Sequence, residues 1–335
     1  MKFTRLIVLS VIFISTILSA CSIPAQTPTV TPVMSTETSV PTPEPSPTAP
    51  PTMVPTPEGI SITDGLNRTV KLTSPATNII SLAPSNTEIL FAIGAGSQII
   101  GRDSFSDYPQ EAKNLQDIGG PSFGSNMELI ISLQPDLILA AEINTPEQVA
   151  EFEKLGLTVF YLNNPKNIAG LYTNLEIVGK LTGHEKEVTG LVNSLKLRED
   201  VVNQKITAAT TKPKVFYEVD GTDPAKPWTI GPGSFIDIMI LQAGGANAGA
   251  NLPIQWAQIS QEELIVQNPD LILLGDSKFG TTIEQVASRP SWNVIKAVQD
   301  KRVLPFDDDL ASRPGPRLVD GLEALAKAIH PELFE

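Results

Sequence analysis

Two stretches decide the fold: ELIISLQPDLIL at residues 128–139 and EELIVQNPDLIL at residues 262–273. In each, a short amphipathic helix ends at a proline, which lacks the N–H that a helix interior needs, and an apolar strand follows. Proline also disfavours helical geometry in the preceding residue, so we expect that residue to be extended. A chain that repeats this helix-to-strand step is predicted to form two similar α/β lobes with a ligand cleft between them.

Apolar strands and helices alternate in both halves of the chain, and Gly or Pro separates many of them. This alternation predicts mainly parallel sheets that are covered by helices on both faces. The expected strands are residues 78–82, 99–101, 137–140, 159–162, 214–219, 271–273 and 303–306. The expected helices include residues 87–93, 147–155, 235–242 and 317–329.

One long helix is predicted between the halves. Apolar residues recur at helical spacing from Val188 to Ile206 without any proline, which indicates six or seven continuous turns. We therefore divide the folded region into an N-terminal lobe (residues 59–183), a bridging helix (184–209) and a C-terminal lobe (210–335). A single stiff helix between two lobes is expected to limit their hinge motion.

The first 21 residues have the pattern of an export signal. Lys2 and Arg5 precede an apolar run at residues 6–18, which is short for a membrane span. The sequence LSAC that ends at Cys21 resembles a bacterial lipobox, in which the signal is removed and the cysteine receives lipid. We therefore expect an exported protein that is lipid-anchored to the outer face of the cytoplasmic membrane; the alternative is a plain signal peptide with an incidental cysteine.

Residues 22–58 are rich in Pro, Thr and Ser and contain no aliphatic cluster. Such a segment cannot bury enough apolar surface to offset its ordering entropy, so a disordered tether is predicted. A glycosylated or wall-spanning stalk is the alternative. The formal net charge of −13 argues against a nucleic-acid partner, whose phosphates require a basic surface.

Several further motifs occur in order along the folded region. They are ISLAPSNTE at residues 80–88, SDYP at 106–109, NME at 126–128, QPD at 134–136, WAQIS at 256–260, Glu262, and RPGPR at 313–317. On these residues the chain from 60 to 334 resembles the helical-backbone class of substrate-binding proteins of ABC importers. Members of this class deliver vitamin B12, haem and ferric siderophores, and the likeness is greatest to the vitamin B12-binding members.

The resemblance implies a receptor without catalytic activity, resident cofactor or metal. It implies that a small-molecule ligand, a corrinoid or alternatively a ferric siderophore or haem, is held between the lobes and passed to an ABC permease with its ATPase subunits. We expect the receptor to be a monomer that contacts the membrane through its N-terminal lipid.

The resemblance also assigns ligand contacts. Phe105 stands where the vitamin B12-binding members have a tyrosine, and Leu310 and Ala311 stand where they have aromatic residues. The full set of expected ligand residues is Phe105, Tyr108, Trp228, Trp256, Asp309, Leu310, Ala311, Ser312 and Arg313. A flat macrocycle is well held by aromatic faces and a few polar groups. For each aromatic residue the alternative is ordinary core packing.

Glu128 and Glu262 occupy equivalent positions in the two repeated stretches. The resemblance makes them docking points for arginines of the permease, where opposite charges would set register and association rate. The alternative is a purely local role, because Asn126 and Ser260 can cap these helices and an acidic first turn favours the helix dipole.

Two other classes of function are compatible with parts of the sequence. The sequence GPSFG at residues 120–124 matches the G-x-S-x-G motif of serine hydrolases, and Asp309 and His330 follow it in the order of a triad. Residues 113–117 are too polar for the buried strand that must precede such a serine. A metal-importing receptor would need several converging ligands, and the chain has only two histidines. An anionic ferric siderophore would be favoured if Arg102, Arg313 and Arg317 converged.

Overall fold

The structure is a computed structural model that describes residues 59–120 and 124–334. The predicted export signal with Cys21, the predicted tether, Ser122 and Glu335 lie outside these ranges. Within the described ranges, no helix is both long and apolar enough to cross a membrane.

Helices and short strands alternate along the described chain. The helices are α1 (Pro84–Ala92), α2 (Met127–Leu133), α3 (Pro146–Lys154), α4 (Ile168–Thr182), α5 (Glu185–Ile206), α6 (Phe235–Gln242), α7 (Gln261–Gln267), α8 (Ile283–Ala287), α9 (Lys296–Gln299), α10 (Asp309–Ser312) and α11 (Leu318–Ile329). The strands are β1 (Ile60–Thr63), β2 (Thr69–Leu72), β3 (Ile79–Ser81), β4 (Ile99–Arg102), β5 (Gly119–Gly120), β6 (Gly124–Ser125), β7 (Leu137–Ala141), β8 (Val159–Leu162), β9 (Lys214–Asp220), β10 (Trp228–Ile230), β11 (Ala246–Asn247), β12 (Trp256–Gln258), β13 (Leu271–Leu274) and β14 (Val303–Pro305).

The N-terminal lobe contains a four-stranded sheet in the order β4-β3-β7-β8, and all its pairs are parallel. Every residue of β7 and β8 is buried, as expected for strands that are covered on both faces. An antiparallel hairpin of β1 and β2 precedes this sheet and was not predicted. The α/β fold with mainly parallel sheets is confirmed in this lobe.

The C-terminal lobe has a six-stranded sheet with the main order β12-β10-β9-β13-β14, and β11 pairs with β9. Strands β9, β13 and β14 are parallel, as predicted. The sequence analysis missed β10 and β12, which form an antiparallel extension of this sheet. This extension contains Trp228 and Trp256 and so affects the site described below.

The repeated stretches form α2 with β7 and α7 with β13. The prediction that the residue before each proline is extended was wrong: Gln134 and Asn268 are left-handed, with φ of 50° and 45°. Each is the C-cap of its helix, and its N–H donates to a carbonyl of the last turn, which ends the helix. The repeated aspartates have one role in common. Asp136 accepts the N–H of Asn78 at 3.0 Å and Asp270 accepts the N–H of Lys214 at 2.7 Å, so each fixes the start of a neighbouring parallel strand.

The bridging helix is α5, with 22 residues, and it packs against α4 on one side and α11 on the other. Helix α4 was not predicted. Buried side chains of α5 belong to a continuous hydrophobic core that includes residues from the sheets of both lobes. Arg198 of α5 also donates to Asp320 and Glu323 of α11, at 2.5 and 2.6 Å. The helix is therefore packed against both lobes and is more than a linker.

Candidate functional site

The carboxyl ends of parallel strands are where open α/β sheets bind ligands, and in both lobes these ends precede irregular loops. In the N-terminal lobe, the loop at residues 103–109 follows β4 and includes Phe105 and Tyr108. In the C-terminal lobe, Asp220 ends β9 and Asp276 follows β13. These loops form the edge of each lobe at which a ligand site is expected.

A buried polar network fixes the loop of Phe105. The carboxylate of Asp103, which is 1% exposed, accepts the N–H of Phe105 at 2.8 Å and the hydroxyl of Ser106. Thr87 connects Ser106 to Ser81, with oxygen–oxygen distances of 2.7 and 2.8 Å. Burial raises the pKa of Asp103, an effect that these hydrogen bonds oppose. The network fixes the backbone of the loop at Phe105, a residue that is 41% exposed.

The register of β10 and β12 places two tryptophans on one face of the sheet. Trp228 lies opposite Gln258, and Ile230 lies opposite Trp256. Residues two apart on a strand share a face, so Trp228 and Trp256 are diagonal neighbours. Trp228 and Trp256 are 43% and 44% exposed, which argues against core packing. Half-exposed aromatic side chains on a sheet can provide stacking surface for a planar ligand.

An inter-lobe ion cluster consists of Glu88, Asp107, Asp309, Arg313 and Arg317. Glu88 is a buried residue of α1, and Arg317 binds its two carboxylate oxygens at 2.9 and 2.6 Å. Arg313 donates to Asp107 at 2.6 Å and pairs with Asp309 at 3.1 Å. Burial raises the pKa of Glu88, and the two arginines act against that shift.

The same cluster contacts one of the expected ligand residues. The guanidinium of Arg317 lies 3.9 Å from the centre of the Tyr108 ring, in a cation–π contact. Tyr108 is nevertheless 45% exposed, so part of its ring remains accessible. Arg102 pairs with Asp117 at 3.1 Å and donates to the carbonyl of Asp103 at 2.9 Å, whereas Arg313 and Arg317 belong to the ion cluster. Each of the three arginines whose convergence would favour a siderophore is therefore already paired with a carboxylate.

The residues from Asp309 to Arg313, all expected ligand contacts, differ in burial. Ala311 is 1% exposed and belongs to the hydrophobic core, so the structure does not support its assignment as a ligand contact. Leu310 is partly buried, and Ser312 is exposed with its hydroxyl donating to the carbonyl of Asp308 at 2.9 Å. Asp309 pairs with Lys278, and Arg313 is held by the ion cluster. Helix α10 is a single turn, so its four side chains point in different directions, and that of Ala311 packs into the core.

Two cavities lie near these residues. The smaller, of about 210 Å³, is between the start of α1, Ile143 and Arg313 and could accept only a small group. The larger, which we call the C-lobe cavity, has a volume of about 910 Å³ and lies at the carboxyl ends of β9 and β13. Phe279 lines its edge and is 80% exposed. The sequence analysis missed Phe279 because a single phenylalanine in a polar loop carries no periodic signal.

Glu128 and Glu262 lie in the first turns of α2 and α7 and are both exposed. Asn126 and Ser260 cap these helices, as expected: their side chains accept the N–H groups of Leu129 and Glu263, at 3.0 and 3.1 Å. Each helix precedes a parallel strand, so each begins near the carboxyl-end edge of its sheet. The two carboxylates therefore occupy equivalent exposed positions on the two lobes.

The described residues do not show the side-chain arrangement of a serine hydrolase triad. The ring of His330 is buried and contacts the Gly244 carbonyl at 3.1 Å and Glu332 at 3.0 Å. Asp309 is paired with Lys278 and Arg313 instead of His330. Ser122 lies outside the described ranges. Residues 59–120 and 124–334 also contain no group of three or more His, Cys, Asp and Glu side chains that could hold a metal.

The sequence and structure were compared with known proteins. Residues 79–310 match the family model described as periplasmic binding protein. An uncharacterized ABC transporter substrate-binding lipoprotein of Bacillus subtilis is 34% identical over 82% of this chain and 87% of its own length. The vitamin B12-binding protein of Photorhabdus laumondii is 28% identical over 75% of this chain and 87% of its length.

Among solved structures, the periplasmic heme-binding protein RhuT from Roseiflexus has a TM-score of 0.69 at 26% identity. The alignment covers 78% of this chain and 99% of that one. Members of the family are solute-binding proteins and not enzymes, and an importer of this type also has a permease and an ATPase. The chain therefore belongs to the periplasmic binding protein family and is the substrate-binding component of an ABC importer.

Proposed function

We propose that the protein captures a corrinoid of the cobalamin type and delivers it to the membrane permease. The observation that supports this most is the combination of exposed aromatic rings with neutralised arginines. Phe105, Tyr108, Trp228 and Trp256 each expose between 41% and 45% of their surface. The corrin ring is a broad macrocycle. Aromatic side chains supply a large contact area for such a ligand at little cost in side-chain entropy.

The charges favour a corrinoid over an anionic ferric siderophore or haem. Arg313 and Arg317 have positive charges, but Glu88, Asp107 and Asp309 surround them with three carboxylates. A guanidinium that is already bound to carboxylates has few donors left for a ligand carboxylate or catecholate. Cobalamin carries amide side chains and little net charge, so it needs no uncompensated basic cleft.

The similarity to vitamin B12-binding proteins supports the same choice, although haem-binding proteins share the fold.

Titration of the purified protein with cyanocobalamin is expected to quench tryptophan fluorescence and to saturate. Trp228→Ala is expected to weaken binding by roughly tenfold, because a stacked aromatic contributes about 1 kcal/mol or more beyond its buried area. Phe334→Ala is the control, since Phe334 packs against Lys205 of α5 and lines neither cavity. Saturable binding of a ferric hydroxamate, ferric catecholate or haem without binding of cyanocobalamin would refute the corrinoid assignment.

Delivery requires contact with the permease, and we propose Glu128 and Glu262 as the two docking points. Both are exposed, both lie at equivalent positions, and Asn126 and Ser260 already supply the side-chain caps of their helices. Exposed apolar residues accompany them: Ile131 is 45% exposed and Val266 is 75% exposed. An apolar surface beside a charged residue is a common composition of a protein interface.

We also propose that Cys21 carries a lipid that holds the receptor beside the permease. The lipobox-like sequence LSAC and the similarity to a substrate-binding lipoprotein support this. Cys21→Ser is expected to move the protein from the membrane fraction to the soluble exported fraction, with corrinoid affinity unchanged. Cell fractionation and metabolic labelling with a fatty acid would measure this. A variant that stays in the membrane fraction would show that another segment is the anchor.

A further inference from the structure

The C-lobe cavity, with a volume of about 910 Å³, is a feature to which the sequence analysis assigned no role. It lies between the ends of β9 and β13 and the segment at residues 277–290. Asp220 lines it and is also the ladder partner of Trp228. The cavity is therefore next to the face of the sheet that includes the two exposed tryptophans.

One cation in the wall of the C-lobe cavity is neutralised. Arg289 lines the cavity, is 8% exposed and binds both carboxylate oxygens of Glu218, which is completely buried. Its guanidinium also packs on the ring of Trp292, at 4.4 Å from the ring centre. These contacts make the pair a fixed, uncharged part of the wall. They do not leave Arg289 as a binding group for anions.

The remaining charged groups of the lining are two aspartates. Asp220 is exposed, and one of its oxygens accepts the N–H of Thr222 at 2.8 Å. Asp276 is 5% exposed, and its Oδ2 accepts the N–H of Gly221 at 2.9 Å and the hydroxyl of Thr281 at 2.8 Å. Ionised carboxylates accept hydrogen bonds and cannot donate them. The lining therefore favours ligand groups that donate hydrogen bonds.

Asp276 also has an oxygen without a donor. Its Oδ1 is buried and has no hydrogen-bond partner among residues 59–120 and 124–334. A buried acceptor in this state costs free energy, which a donor from a ligand would recover. Because Oδ1 is shielded from solvent, a small displacement of the wall must accompany such a contact. Thr281 and Gly280, which has a φ of 107°, belong to the adjoining wall segment.

We propose that the C-lobe cavity is a ligand subsite that receives the neutral carboxamide side chains of the corrinoid and rejects carboxylates. Asp220 and Asp276 accept the amide N–H groups, and Phe279 covers the mouth of the cavity. This inference rests on the proposed function and adds the chemistry by which one part of the ligand is selected. A carboxylate at the same position has no N–H to donate and would be repelled by the two aspartates.

The test compares cyanocobalamin with its monocarboxylic acids, in which one peripheral amide is hydrolysed. At pH 7 at least one isomer is expected to bind the unaltered protein roughly tenfold more weakly than cyanocobalamin, which corresponds to one ionised contact. Asp220→Asn is expected to reduce this discrimination by about threefold or more. Asp223→Asn is the matched control, because Asp223 is an exposed aspartate of the same loop that does not line the cavity.

The outcomes separate the two proposals. Equal affinity for cyanocobalamin and all its monocarboxylic acids would overturn the subsite and leave the corrinoid assignment intact. Equal loss of discrimination in Asp220→Asn and Asp223→Asn would also overturn it, since a general charge effect would then explain the preference. Failure of cyanocobalamin itself to bind would overturn the proposed function and the subsite together.

Discussion

Reversal of both docking charges, Glu128→Lys with Glu262→Lys, is expected to reduce corrinoid uptake by tenfold or more while the corrinoid dissociation constant stays unchanged. A like charge opposite each permease arginine costs several kcal/mol at an interface, whereas the loss of a favourable first-turn charge costs a helix less than about 1 kcal/mol. Uptake of labelled cyanocobalamin in cells and fluorescence titration of the purified receptor measure the two quantities.

The double reversal needs a control with the same change in net charge. Glu185→Lys with Glu187→Lys alters two acidic residues in the first turn of α5, which are also exposed. Helix α5 follows α4 in a helical hairpin, so its start lies away from the carboxyl-end edge that includes Glu128 and Glu262. Uptake should persist in this variant. Undiminished uptake in the docking variant would instead reduce Glu128 and Glu262 to a local role in their helices.

Removal of the charge at the centre of the inter-lobe ion cluster is expected to have a large effect on stability. Glu88→Gln keeps the volume of the side chain but leaves Arg317 without its bidentate partner, and the side chain of Glu88 is only 1% exposed. Breaking a buried ion pair by removing one partner typically costs 3–5 kcal/mol, so we expect the free energy of unfolding to fall by about 3 kcal/mol. Urea denaturation followed by tryptophan fluorescence measures the change.

Glu323→Gln provides the comparison for the buried pair. Glu323 pairs with Arg198 at 2.6 Å, and its side chain is 39% exposed. Exposed ion pairs contribute roughly 0–1 kcal/mol, so this variant should change the unfolding free energy by less than about 1 kcal/mol. If both variants lost the same small amount, the inter-lobe cluster would not be a significant source of stability.

Local patterns were sufficient to predict most of the parallel core. The repeated proline steps, the apolar runs and the helical spacing in α5 all depend on neighbouring residues, and each predicted an element that the structure contains. Helix α4 had a comparable signal, because Leu171, Leu175 and Val178 recur at helical spacing and Gly183 follows as a left-handed cap. Its two interior glycines, which disfavour a helix, weaken that signal.

The arrangement of the site could not be predicted from the same patterns. Trp228 and Trp256 share a sheet face as diagonal neighbours only because two short strands pair in a particular register, and three-residue strands carry little periodicity. Glu88 and Arg317 are separated by 229 positions, and nothing local indicates that they form an ion pair. Burial of Ala311 depends on the packing of α10 against α6 and α11. These features result from tertiary structure, which a single sequence specifies only indirectly.

The hydrophobic core that runs through α5 has a consequence for cooperativity. Side chains from the N-terminal sheet, from α5 and from α11 share one cluster, so disrupting the packing of either lobe exposes apolar surface of the other. Domains that are joined only by a flexible linker can unfold in separate transitions, whereas these two lobes should unfold in a single transition. Coincident transitions from circular dichroism and tryptophan fluorescence would demonstrate this all-or-none behaviour, and a half-chain produced alone should fail to fold.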